Sequence, residues 1–292
     1  MIQSPHSILK EKSKSFFLAG QLLPELVLND AARLYAYCRR TDDLIDIKGD
    51  QSGIKKEIKA LEEGKTEISD LIARYDIPLP VMESYLQALL SDLSPVRITS
   101  RNGLLRFCYG VAGTVGIMMS HILGRSDRLS LYHAIDLGIG MQLTNIARDR
   151  AEDEAADKIY FPQEMDQVDL VNLAEPYYRS GFAGIRLLPF RVRPAIMTAG
   201  KVYRAIGEKI KRDPQNARNS RVYVTKPEKI ILMAQSTGRV LWPKDPPAQH
   251  DRSLHRALEG LPLVHESKTD SEEIEQENHL TGKAGAAPKG PS

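Results

Sequence analysis

The chain has 292 residues, of which 42% are hydrophobic and 27% charged, proportions that suit a globular fold with one large core or two small ones. Its 40 basic and 38 acidic side chains leave a net charge of +2, which gives no argument for a nucleic-acid partner and confines any phosphate binding to a local site. Neither Cys38 nor Cys108 has a second ligand at metal spacing, and both read as small core residues of a reducing compartment.

No apolar run precedes Phe16, so no signal peptide is expected, and no stretch of ~18 uninterrupted apolar residues predicts a membrane span. Residues 6–23 read as a short helix carrying Ser13, Lys14, Ser15, Phe16 and Phe17. Two readings of it are equally matched: a lid with polar contacts for phosphate, or an amphipathic helix with both rings in the core. Pro24 breaks the chain, Asn29 or Asp30 can cap the next helix, and that helix runs through Tyr35, Cys38 and Arg39 to Asp46. Residues 54–74 have the apolar stripe of a charged amphipathic helix, and 81–93 resume a helix after Pro78 and Pro80.

From 104 to 123 the sequence is almost wholly apolar or small, the pattern of a helix buried on most sides. Its glycines, Gly110, Gly113 and Gly116, cost up to ~1 kcal/mol each in a helix, so close helix packing or a ligand against the backbone must justify them. Residues 128–153 form a long helix, and further helical pattern covers 169–187, 194–210 and 227–241, with a polar loop at 214–220. From Pro243 the composition changes to paired prolines, scattered charge and small residues. The prediction is an all-α, single-domain bundle over 1–242 around a central apolar cavity, with a disordered tail over 243–292.

Two acidic clusters carry the chemistry. Asp42 and Asp46 stand four apart, and Gln142, Asn145, Asp149 and Asp153 follow one another at helical spacing, so each set lines one helix face. Paired carboxylates repel by a few tenths of a kcal/mol when exposed and by more when buried. A hard divalent cation with oxygen ligands relieves that repulsion and keeps positions open for substrate phosphates. One such pair would be read as a solvated face. Two pairs, each in apolar helical sequence and each beside a basic residue (Arg39 or Arg40; Arg148), favour a metal-dependent phosphate site.

The motifs resemble those of the squalene and phytoene synthases, which join two prenyl diphosphates head to head. The likeness rests on Ser13-Lys14-Ser15-Phe16, on Tyr35 through Asp46, on Tyr109 through Gly116, and on Gln142 through Asp153 followed by Lys158 through Pro162. In the carboxyl half, Glu175-Pro176-Tyr177-Tyr178 and Thr225-Lys226-Pro227-Glu228-Lys229 look most like bacterial phytoene synthases. The resemblance implies a bundle of the isoprenoid synthase type and Mg²⁺, or Mn²⁺ in its place, held by Asp42 and Asp46 at one diphosphate and by Asp149 and Asp153 at the other. It implies that Ser13, Ser15, Arg39, Gln142 and Asn145 contact the metal and diphosphate groups and that Phe16 covers the prenyl chains. Arg39, Tyr109, Arg148 and Tyr203 would hold the leaving diphosphate or steer the cationic intermediate.

The reaction so implied condenses two geranylgeranyl diphosphates through a cyclopropyl diphosphate to phytoene. No nucleotide-binding motif accompanies Gly138 and Gly140, so no nicotinamide cofactor is expected and proton loss is favoured over reduction. The expected location is cytoplasmic, with peripheral contact to a membrane that would receive the hydrocarbon. Two other readings stay open: a squalene or dehydrosqualene synthase using farnesyl diphosphate, and an inactive relative serving as a binding or assembly protein. The segments before Tyr109 and from Pro162 to Glu175 are shorter than the family pattern, and Arg150 replaces a small or apolar residue in it.

Overall fold

The computed structural model describes residues 3–47, 49–93, 95–240 and 245–265. Two short helices open the chain, α1 (Pro5–Lys12) and α2 (Lys14–Gly20), where one was expected. Ser13 separates them, its Oγ accepting from the Phe16 amide at 3.3 Å to cap α2. The first acidic pair closes α3 (Glu25–Asp46). The predicted helix over 54–74 is divided into α4 (Gln51–Glu62) and α5 (Ser69–Arg74). Gly64, at φ +66°, makes the turn after α4 in a conformation that other residues rarely adopt.

After α6 (Leu79–Ser91), a two-residue strand β1 (Val96–Arg97) pairs in parallel with β2 (Lys158–Ile159), Val96 opposite Lys158. Between them run α7 (Arg101–Cys108), a π turn over Tyr109–Gly113, α8 (Thr114–Ile122) and the long α9 (Arg128–Ala155). Then come α10 (Gln167–Gly184), α11 (Arg193–Arg212), α12 (Pro214–Asn219) and α13 (Lys226–Val240). The polar loop expected at 214–220 is helical because Asp213 accepts from the Asn216 amide at 3.1 Å.

Helix α9 is the axis of the bundle, packed by α8, α10 and α11. Leu131, Ile135, Ile139, Leu143 and Ile146 are buried along it, as a surrounded helix requires. The glycines let α9 meet α8 and the π turn before it backbone to backbone. A Cβ at Gly116 would lie 2.3 Å from the Ala134 carbonyl, and one at Gly138 would lie 2.3 Å from the Ala112 carbonyl. Close packing is therefore the reason for the glycines at these two positions. The helical run Arg101–Ile122 is long and apolar enough to cross a membrane by length and composition, yet 56% of its most apolar window is buried in the bundle.

The expected tail boundary is corrected in part. Residues 245–265 fold back over the bundle as a strap containing a 3₁₀ turn, Arg252–Leu258, with His255 and Leu258 buried. The strap lacks any apolar period because its backbone anchors it: Tyr177 OH donates to the Leu254 carbonyl at 3.0 Å, and Arg106 donates to the Ala257 and Glu259 carbonyls. The rest of the predicted tail, 243–244 and 266–292, lies outside the described residues.

Candidate active site

The carboxyl-terminal halves of α3 and α9 bring the two acidic sets to one cleft. Burial, then the charges of Asp46 and Asp92, push Asp42 up to about 7 against the pull of Arg39. Burial, then Asp149, Asp92 and Asp46, push Asp153 up to about 7 against Lys158. Asp46 of α3 is thus felt on both helices, so the cleft concentrates negative charge that no side chain fully neutralises. Its donors are all carboxylate oxygens, the set a hard divalent ion prefers, and Asp42, Asp46 and Asp153 fit such an ion.

Asp149 is placed differently. Arg148 holds both its oxygens, with Nε at 2.7 Å from Oδ1, and Arg221 Nε adds a contact at 3.2 Å. It faces guanidinium groups in this arrangement and has to leave them to serve as a metal ligand.

Asp92, at the end of α6, belongs to the site although no local pattern in the sequence marks it. Its Oδ1 accepts from Tyr160 OH at 2.6 Å and its Oδ2 from Lys158 Nζ at 3.0 Å, while the same ammonium reaches Asp46 Oδ1 at 2.7 Å. The pairing of β1 with β2 sets Lys158 in this place. Lys158 and Tyr160 belong to the Lys158–Pro162 motif, but only the fold shows which carboxylates they meet.

A cationic rim stands beside the cleft. Arg39 bonds Asp43 and approaches Asp42 at 3.1 Å, with its buried Nε unpartnered, whereas Arg40 turns away to Glu57 at 2.9 Å and Glu67 at 3.2 Å. Burial, then Lys14 and Arg148, hold Lys229 below the usual lysine range. Cations from α2, α9 and α13 therefore face one another, a mutual repulsion that a diphosphate would relieve. Lys14 belongs to the expected phosphate-contacting segment and Lys229 to the Thr225–Lys229 motif, whereas their meeting with Arg148, and the place of Arg221, come from separate elements and leave no local signal.

Behind the rim lies an apolar cavity of about 330 Å³, bounded by α2, α3, α8, α9 and α11. Phe16 stacks on Tyr203 at 5.3 Å and meets Tyr35 edge-on at 6.1 Å, closing one wall. The Tyr203 hydroxyl interacts with Arg148, which links the wall to the rim. Gln142 and Asn145 line the same cavity. Asn145 Nδ2 donates to Gln142 Oε1 at 3.2 Å, and Asn145 Oδ1 is buried with no partner. Ser13 touches the Tyr35 hydroxyl, and Ser15 sits half-buried on α2.

Tyr109 corrects the expectation of a catalytic residue. It is fully buried, does not line the cavity, and its hydroxyl donates to the Pro262 carbonyl of the strap. Its place in the motif is structural.

The profile of the family described as squalene/phytoene synthase matches residues 9–168 and 167–228. A 15-cis-phytoene synthase of Pantoea ananas is 33% identical over 276 residues, covering 78% of this chain and 88% of that protein. A phytoene synthase of Thermus thermophilus is 29% identical over 271 residues, covering 82% and 93% of the two chains. A crystal structure of a dehydrosqualene synthase in complex with ligand superposes with a TM-score of 0.72 at 27% identity, covering 81% of this chain and 95% of that one. With the family profile spanning both acidic helices and the cavity between them, the chain belongs to the squalene/phytoene synthase family of head-to-head prenyltransferases.

Proposed function

We propose that this protein is a phytoene synthase, joining two C20 prenyl diphosphates head to head in a Mg²⁺-dependent reaction that releases pyrophosphate. The observation that carries the reading is the adjacency of a carboxylate cleft, a cationic rim and an apolar cavity, which matches a substrate with a charged head and a long hydrocarbon tail. The similarity to phytoene synthases over most of the chain favours C20 substrates.

Asp42, Asp46 and Asp153 would hold Mg²⁺, with Asp149 joining once released by its arginines. Bound Mg²⁺ supplies Lewis acidity that draws charge from a leaving diphosphate. Lys14, Arg148, Arg221 and Lys229 bind the diphosphate oxygens and keep the leaving group from recombining. Lys158 and Tyr160 fix Asp92, and Lys158 orients Asp46. Phe16, Tyr35 and Tyr203 exclude water from the prenyl chain, and their ring faces stabilise the positive charge that develops on it. Once the first diphosphate has left, the allylic cation is attacked by the first double bond of the second chain, and loss of a proton to the released diphosphate or water closes the cyclopropane ring of a cyclopropyl diphosphate. That intermediate ionises, rearranges and loses a proton.

A second reading, two C15 diphosphates giving dehydrosqualene, draws on the likeness to the dehydrosqualene synthase structure. Separate kinetics with C20 and C15 diphosphates distinguish the two: the larger kcat/KM is expected for C20, and a clear preference for C15 establishes the second reading. Asp42→Ala and Asp153→Ala are expected to cut Mg²⁺-dependent pyrophosphate release by more than about 100-fold, because several kcal/mol of charge stabilisation go with the ion. Helix content should be retained in both, and full activity in either variant refutes the metal assignment.

A further inference from the structure

Four of the seven histidines of the chain meet at one place near the strap. His133 and Asp136 lie on α9, and His250, His255 and His265 come from the strap. The site is roughly 20 Å from Asp149, counted as the rise along α9 from Asp136. The ring centroids of His250 and His255 are 4.5 Å apart and those of His250 and His265 are 5.0 Å apart. One ring nitrogen of each of the three lies within 4.8 Å of one from each of the others.

Asp136 decides which nitrogens are available. Its side chain is fully buried, and its two oxygens accept from His250 Nε2 at 2.6 Å and His255 Nε2 at 3.2 Å. With Nε2 turned to the carboxylate, each imidazole points its Nδ1 away from Asp136. His255 Nδ1 is buried without a partner, and His250 Nδ1 faces His265 Nε2 at 2.9 Å. A buried ring nitrogen without a partner is unfavourable, and a cation coordinated there removes that cost.

We propose that His250, His255 and His265 bind a borderline divalent transition ion of the Zn²⁺ class, with Asp136 as the carboxylate that orients two of the ligands. Three imidazole nitrogens with a fourth position for water suit tetrahedral Zn²⁺, and nitrogen donors disfavour Mg²⁺. A carboxylate accepting the distal N–H of a ligating histidine is the usual outer support of such an ion. The ion ties the two ends of the strap together, and Asp136 holds that closed strap to α9 through its two histidine hydrogen bonds, adding to the bond from Tyr109 to Pro262.

His133 offers a rival set with Asp136 and His250, and its buried Nε2 is also unpartnered. That set requires an Asp136 oxygen already engaged by an N–H donor, so the three-imidazole set is favoured.

The test uses the full chain without a polyhistidine tag, loaded with Zn²⁺, desalted and analysed for metal. One equivalent per chain is expected, lost in His265→Gln and His255→Gln, retained in His133→Gln and Asp42→Asn, and bound about 10–100-fold more weakly in Asp136→Asn. X-ray absorption on the unsubstituted protein, which needs no variant to fold, should show a shell of three imidazole nitrogens. Failure to retain Zn²⁺, retention by both His255→Gln and His265→Gln, loss from His133→Gln alone, or an all-oxygen shell would each overturn the assignment.

Discussion

Lys158 Nζ lies 2.7 Å from Asp46 Oδ1 across 112 residues of sequence, and the same ammonium caps the buried Asp92 carboxylate at 3.0 Å. The acidic cleft thus contains a built-in cation. Lys158→Met strands Asp92 with only Tyr160 as partner, and breaking a buried pair in this way costs about 3–5 kcal/mol. Denaturant unfolding should show a loss of that size, and Asp92→Asn in the same chain should recover most of it. Additive losses would mean that the pair is not coupled.

Tyr109 separates the structural account from the motif account. Tyr109→Phe removes one hydrogen bond to the strap and should cost about 1 kcal/mol of stability while leaving kcat near that of the unsubstituted protein. A fall in kcat of more than about tenfold, with stability unchanged, would return Tyr109 to the active site.

Burial, then neighbouring carboxylates, hold both Asp42 and Asp153 up at about 7, above the usual aspartate range. Each holds its proton more tightly folded than unfolded. Their contribution to stability is therefore present below pH ~4 and is lost as pH rises through about 7. In chelator, Asp42→Asn should raise the melting temperature at about pH 8 and have little effect near pH 4, where the wild-type carboxyl is also protonated. Mg²⁺ with pyrophosphate should stabilise the unsubstituted protein at the higher pH. An Asp42→Asn variant less stable than wild type at pH 8 would contradict this electrostatic picture.

Lys229 is held low by burial and by its approach to Lys14 and Arg148. Lys229→Met should weaken pyrophosphate binding by about 10–100-fold, the range for hydrogen bonds to charged groups, as read by calorimetry with Mg²⁺ present. Unchanged affinity would place the diphosphate elsewhere on the rim.

The residues legible in sequence were those on one helix face. Asp42 with Asp46, and Gln142 through Asp153, repeat at the helical period, so their convergence on one side of α3 and of α9 follows from spacing alone. Asp92, Lys158, Arg221 and Lys229 act through contacts between distant elements, for which no local period exists. The strap looks like a tail in sequence because its composition is polar and broken by proline. Its anchorage comes from backbone carbonyls accepting from Arg106, Tyr109 and Tyr177, a device that leaves no mark on side-chain pattern. The same omission turned Tyr109, whose hydroxyl belongs to that anchorage, into a catalytic candidate.

Incubation of the purified protein with Mg²⁺ and C20 prenyl diphosphate, followed by mass spectrometry of the extracted hydrocarbon, addresses the central claim directly. A C40 hydrocarbon formed without nicotinamide, with two pyrophosphates released per product, is the predicted result. No hydrocarbon from C20 diphosphate, alongside efficient conversion of the C15 substrate, would contradict it.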